Sequence, residues 1–173
     1  MKLNAKELRD VDESEIAIKL KNIKRRQIYF ILENIYDTYN IGGLFRLADA
    51  LAIEKMYLCG EMEVPPNSRI KKASIGTYKV VPWEYKKTVG EAIKELRSKI
   101  KIVAVEQTKN SILYTKADYS TPLALILGNE TYGVTEETLK LVDTVVEIPM
   151  WGINKSLNVI VSAAIVSYWA VNK

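Results

Sequence analysis

Strand-type and helix-type runs alternate along this chain, and that alternation narrows the possible folds more than any other feature. Apolar, β-favouring segments at 27–33 ("QIYFILE"), 55–59 ("KMYLC"), 100–106 ("IKIVAVE"), 122–128 ("PLALILG") and 144–149 ("TVVEIP") are separated by runs with apolar residues at helical spacing. Those helical runs cover 43–52, 88–99, 134–143 and a closing 155–171. A weaker strand over 78–85 is interrupted by Pro82, which places it at a sheet edge or ends it there. "PPNSRIKKASIG" reads as a polar excursion. Thr135 is of N-cap type, with Glu136 and Glu137 in the first turn, where the helix dipole favours acids. Strands alternating with helices call for one α/β domain, a mostly parallel sheet covered by helices on both faces. The domain is expected over 27–173, with 1–26 as a basic, helical N-terminal extension.

Composition removes several function classes. Of 173 residues, 48% are hydrophobic and 27% charged, which suits one domain with a sizeable core. No apolar run reaches membrane-spanning length and "MKLNAKELRD" lacks a signal-type stretch, so a cytoplasmic protein with no membrane partner is expected. Cys59 is the one cysteine and histidine is absent, which excludes an internal disulfide and a clustered zinc site. It also removes the commonest general base, and no metal is expected. The net charge of +4 is unevenly spread: Lys19, Lys21, Lys24, Arg25 and Arg26 form one cluster, and Arg69, Lys71 and Lys72 another. Such clusters neutralise phosphates. A helix surface paired with Glu7, Asp10, Asp12, Glu13 and Glu15 accounts for the first of them equally well.

Five of the eight glycines fall in three short stretches, "NIGGLFR", "LGNETYG" and "MWGINKSLN", each read as a loop that follows a strand and precedes a helix. Ligands of open α/β sheets bind outside the C-terminal strand ends, and glycine there lets the backbone approach closely. Turns and helix caps would favour the same residue types. Neither the dinucleotide fingerprint G-x-G-x-x-G nor a Gly-Lys-Ser/Thr phosphate loop is present. Gly152, Asn154, Ser156 and Asn158 stand between a strand and a helix that both read as buried. Polar groups so placed must cap the helix or hold a ligand.

"NIYDTYNIGGLFRLADALAI" resembles the first motif of the SpoU (TrmH-type) RNA ribose methyltransferases of the SPOUT superfamily. "LILGNETYGV" is similar to the second motif, and "IPMWGINKSLNVIVSAA" to the third and most specific. The resemblance covers about residues 27–171, with departures at Gly43 beside Gly42, at "AVEQ" and in the lack of histidine.

The resemblance implies a C-terminal deep trefoil knot, with S-adenosylmethionine as cofactor and methyl transfer to a ribose 2′-hydroxyl in tRNA or rRNA. Carried over by motif position, Arg46 would position or activate the nucleophile and grip phosphate, with Asn40, Glu130, Ser156 and Asn158 completing the site. Asn40 as a helix cap and Glu130 as a tie between loops stay open as structural roles. Cofactor contacts would come from around Glu106, Gly128, Ile148, Met150, Ser156 and Leu157, mostly through backbone groups. Lys24, Arg25 and Arg26, with Arg46, would meet RNA. A homodimer is implied too, and the last helix, apolar nearly all round, suits burial on more than one side. Two other functions fit the same residues: an RNA-binding protein of this fold without turnover, and an α/β nucleotide-binding enzyme whose loops take phosphate.

Overall fold

Strand β1 (Arg26–Glu33) is buried along most of its length, and the computed structural model shows why: it is paired on both sides. The structure describes residues 3–11, 15, 16, 20, 23–96 and 100–173. Lys19, Lys21, Asp12 and Glu13 of the N-terminal charge clusters, and the end of the 88–99 helical run, lie outside those residues. After β1 come α2 (Thr38–Ala50), β2 (Ile53–Cys59), α3 (Ser68–Ser74), β3 (Trp83–Lys86) and α4 (Val89–Leu96). The chain continues through β4 (Lys101–Val105), β5 (Ile112–Leu113), β6 (Leu123–Leu127), α5 (Glu136–Leu139), β7 (Thr144–Glu147) and α6 (Val159–Val171). A short helix α1 (Ala5–Asp10) precedes them, closed by a capping box between Asn4 and Glu7.

The strands form a sheet of order β3-β2-β1-β6-β4-β7-β5, parallel at every pairing. Alternation along each strand divides the core. Phe30, Leu32, Leu125 and Val103 face one layer, packed under α2 and α6. Ile31, Tyr57, Ile126 and Ala104 face the other, under α4 with Val89, Ala92 and Ile93. Registers Phe30↔Leu125 and Val103↔Leu125 keep like faces together across β1, β6 and β4. Each of the larger aliphatic and phenylalanine side chains contributes about 1.5–3 kcal/mol by leaving water, which is why both faces must be covered. Ile16 is buried in the first layer, and Leu8, Val11 and Leu20 pack against that layer, so these four residues lie on the sheet domain.

Several boundaries differ from the sequence reading. "NIGG" lies inside α2, whose N-cap is Asp37, so Asn40 is no cap and Gly42 and Gly43 form no loop. Their lack of side chains has a packing cause: a Cβ on Gly42 would strike Ala73 and the Ser74 amide, and one on Gly43 would strike Ile160. The polar excursion contains α3, capped by Asn67. The weak strand starts only after Pro82, since residues 77–79 form a 3₁₀ turn, and it does sit at the sheet edge. Helix α5 is only four residues long, with Thr135 as its cap. The closing helix begins at Val159, capped by Asn158, so Ser156 and Leu157 precede it. Among the described residues no helix is long and apolar enough to cross a membrane.

Candidate active site

Strand β6 lies between β1 and β4, so the connections after β1 and β4 leave in opposite directions along the sheet. A crevice opens at such a reversal, beyond the C-terminal strand ends. Here it is a cavity of about 810 Å³, within the range of small-molecule sites. Its walls gather the candidates of all three motifs: Asn40 and Glu130, Glu106 and Gly128, Ile148 and Met150, and Ser156, Leu157 and Asn158.

One polar chain joins the motifs. The Asn158 amide donates to Asn40 Oδ1 at 3.0 Å, and Asn40 Nδ2 donates to Glu130 Oε1 at 2.9 Å. Glu130 also accepts from the backbone N–H groups of Asp37 at 3.1 Å and Tyr36 at 3.2 Å. Burial pushes the Glu130 carboxyl up, but the bonds from Asn40 and these amides outweigh it and hold its pKa below 4.5. Asn40 is only 5% exposed, so both ends of its side chain need the partners they have. Asn158 Oδ1 accepts the Ile160 amide at 2.9 Å while its nitrogen reaches Asn40. It caps α6 and links motifs at once.

Glu106 has a structural task as well as a place on the wall. Its carboxylate accepts from Val134 N and Gln107 N, both at 2.8 Å, tying the end of β4 to the 128–134 loop. Gly133, at φ +69°, leaves room for that carboxylate, which a Cβ would strike. Gly128 is likewise fixed by packing, against the backbone of Gly133 and Val134.

Residues 151–158 are exposed throughout. Gly152, Asn154, Ser156 and Asn158 therefore are not trapped between buried elements as the sequence suggested; the last three line the open side of the cavity. Gln107 Nε2 donates to Lys155 O at 2.9 Å and, with the Asn158–Asn40 bond, moors this loop across the cleft.

Arg46 is exposed and does not line the cavity. At about 100° per residue it lies about 120° round α2 from Asn40, but on the same face as Tyr39 two turns earlier. The basic triad lies away from the cleft. Arg25 is half-buried and donates to Ile53 O at 3.0 Å and Val80 O at 2.6 Å, so two of its guanidinium nitrogens are bonded to backbone carbonyls. Burial lowers its pKa. Lys24 and Arg26 are exposed at the opposite, N-terminal end of β1, about 23 Å along the strand from the cleft.

Two contributors escaped the sequence reading. Glu33 ends β1 as a buried acid, accepting from Thr135 N, Thr135 Oγ1 and Thr138 Oγ1 at 2.6–2.9 Å. Asn129 is buried, donates to Asn34 O at 2.6 Å and accepts the Thr131 and Tyr132 amides. The only signal for either was polarity directly after an apolar run.

A parallel sheet with a cleft at its C-terminal strand ends, lined by one helix and two loops, defines a class of ligand-binding α/β proteins, and comparison with known proteins narrows it. The chain matches the SpoU rRNA Methylase family over residues 27–168 and belongs to that family. It is 30% identical over 154 residues to the tRNA (guanosine(18)-2′-O)-methyltransferase of Escherichia coli K12, covering 86% of this chain and 65% of that one. It is 28% identical to the 23S rRNA (guanosine-2′-O-)-methyltransferase of Ralstonia nicotianae, covering 89% and 62%. An AdoMet-bound rRNA methyltransferase from Sinorhizobium meliloti superposes with TM-score 0.80 at 26% identity, covering 95% of this chain and 59% of that one. The Aquifex aeolicus TrmH/SpoU tRNA modifying enzyme gives 0.78 at 25%, covering 91% and 83%. The chain thus spans just under two thirds of the length of the Escherichia coli and Ralstonia relatives.

Proposed function

We propose that this protein transfers a methyl group from S-adenosylmethionine to a ribose 2′-hydroxyl in tRNA or rRNA. The observation that carries the reading is the hydrogen-bond chain Asn158–Asn40–Glu130, which joins the three motifs at the rim of one cavity. The cavity suits the cofactor in size and lining. Val105, Leu127, Val146 and Ile148 offer apolar wall for a flat ring, and Asn154, Ser156 and the strand-end backbone offer polar partners. Gly128, Met150 and Leu157 complete the contacts expected from the family.

When bound, the cofactor supplies a methyl group on a sulfonium, so the oxygen–carbon bond forms as the sulfur–carbon bond breaks and the hydroxyl proton departs. The task of this chain is to hold ribose and methyl in line. Glu130 and Asn40 keep the first two motifs at fixed separation, and Asn158 fixes the third against them. Arg46 is assigned to the substrate side of the reaction, where a guanidinium meets phosphate or the reacting hydroxyl.

Arg46 stands outside the cleft of its own chain, and a second copy is the arrangement that would bring it into use. Trp151 and Ile153 are 91% and 104% exposed, and Leu157, Val161 and Tyr168 continue the apolar surface along α6. Isolated exposed apolar residues are ordinary, but a run of this kind marks an interface. We infer a homodimer with this surface at its centre, and its test is the mass by light scattering at micromolar concentration. A monomer with full activity would refute it. The position of β6 between β1 and β4, with β7 and α6 following, supports the trefoil knot expected of the family.

The position of Arg46 also favours a second reading, RNA binding without turnover. Calorimetric titration with S-adenosylmethionine separates the two. The methyltransferase binds the cofactor with the same affinity in chelator as without it. An RNA-binding protein lacking turnover is identified by absence of cofactor binding.

A further inference from the structure

Beside the cofactor cavity, and sharing Tyr36 and Asp37 with it, lies a second hollow of about 510 Å³. Its remaining walls include Tyr39 on α2, Glu63, and Arg69 on α3. Tyr36 and Tyr39 are 54% and 56% exposed, and neither ring packs on another aromatic among the described residues. Their backbone is nevertheless fixed. Tyr36 N donates to Glu130 Oε2 at 3.2 Å, and Tyr39 N to Asp37 Oδ1 at 2.8 Å. Two open aromatic faces are thus held on a rigid rim directly beside the cleft.

The charges facing this hollow are of both signs. Asp37 and Glu63 present carboxylates, and Glu63 takes one bond from Asn67 Nδ2 at 3.2 Å. Arg69 is exposed and forms no ion pair among the described residues. Carboxylates only accept hydrogen bonds and repel phosphate, so they suit the N–H donors on a base edge. A guanidinium suits phosphate. Unpaired bases in RNA are held in this way, stacked on aromatic rings and bonded along their edges.

We propose that this hollow seats the base of one RNA nucleotide, stacked on Tyr39, its amino group toward Glu63 and Asp37 and its phosphate at Arg69. The inference rests on the methyltransferase reading and deepens it: Tyr36 and Asp37 belong to both spaces, so one nucleotide can span them, ribose in the cleft and base in the hollow. An amino-bearing base, adenine, cytosine or guanine, is favoured over uracil, which carries two carbonyls and no amino group.

The test is binding of fluorescein-labelled oligo(rA) and oligo(rU) to the full chain, beside calorimetric titration of each variant with S-adenosylmethionine. Wild type binds oligo(rA) more tightly. Tyr39→Ala weakens oligo(rA) by about 5- to 150-fold, the range for loss of one stacked base, and Tyr39→Phe does not. Glu63→Gln narrows the preference between the two probes. Arg69→Ala weakens both and reduces the slope of log affinity against log salt by about 0.7, the value for one phosphate on a single strand. Cofactor affinity stays at the wild-type value in all of them, since Tyr39, Glu63 and Arg69 lie outside the cofactor cavity. Unchanged RNA affinity in both Tyr39→Ala and Arg69→Ala overturns the subsite and leaves the methyltransferase reading standing. A wild-type chain that binds the cofactor but neither RNA overturns the substrate assignment beneath it.

Discussion

Asn40 and Asn158 share one hydrogen bond, yet their surroundings differ almost completely. Asn40 sits inside α2, buried, with Gly42 and Gly43 beside it packed against Ala73 and Ile160. Asn158 closes a stretch that is exposed from Trp151 onward, where Gly152 has nothing within 4 Å of the position its Cβ would take. One side of the cleft is therefore finished by this chain alone. The other is apolar and polar by turns, open, and moored by Gln107 and by Asn40 itself. Trp151 and Ile153 stand in water there, at the centre of the surface proposed for the dimer. The contrast separates residues whose loss is a matter of folding from those whose loss is felt only in the reaction.

The largest effect is expected at Arg46, which lies on α2 with Asn40 but is exposed and outside the cleft. Arg46→Ala should lower single-turnover methyl transfer by about 10²–10³, roughly 2.7–4 kcal/mol on the barrier, while cofactor affinity and melting temperature hold. Arg46→Lys should recover little, because an ammonium lacks the planar fork. Wild-type transfer in a folded Arg46→Ala protein would take the arginine out of the mechanism. On the finished side, Gly42→Val should cost about 1–3 kcal/mol or more of stability by overpacking, since Ala73 and the Ser74 backbone block the space. Denaturant unfolding measures it, and an unchanged midpoint would mean that α2 and α3 separate freely. Asn40→Ala should cost about 1–3 kcal/mol by stranding buried partners and should weaken the cofactor together with the fold. A variant with intact stability would place Asn40 in the reaction alone.

The smallest effect is a pH dependence. The folded-state pKa of Glu130 is depressed, so its stabilisation is complete above the ordinary value of 4.5 and fades as pH falls through the folded value. The gap in melting temperature between wild type and Glu130→Gln should therefore narrow as pH drops below 4.5. A gap that widens there would contradict the bonding assigned to this carboxylate.

Runs such as "LALIL" announced the parallel sheet because a strand buried on both faces is a continuous apolar run, and these runs are too short for a buried helix. The interior of α2 was hidden for a physical reason: glycine serves a turn through its dihedral freedom and a helix crossing through its lack of bulk, and one sequence does not separate the two uses. Helix α3 escaped because only Ile70 and Ser74 are buried in it and two prolines precede it. For the site, the motif resemblance supplied the residues around the cavity, including Ser156 and Leu157. It did not foresee that Glu106 spends its carboxylate on backbone amides. The role left open for Glu130, a tie between loops, is the one its bonds to Tyr36 N and Asp37 N show. In the cluster at Lys24–Arg26 the partners of Arg25 could not be read from the sequence, since the carbonyls it meets come from residues 53 and 80.

The account stands most directly on one measurement. RNA from cells lacking the gene is incubated with the purified protein and S-adenosylmethionine labelled in its methyl group, then digested to nucleosides. The account predicts label in a single 2′-O-methylated nucleoside, found in tRNA or rRNA and absent without the protein. Label on a base, or no transfer by a chain that binds both cofactor and RNA, would contradict it.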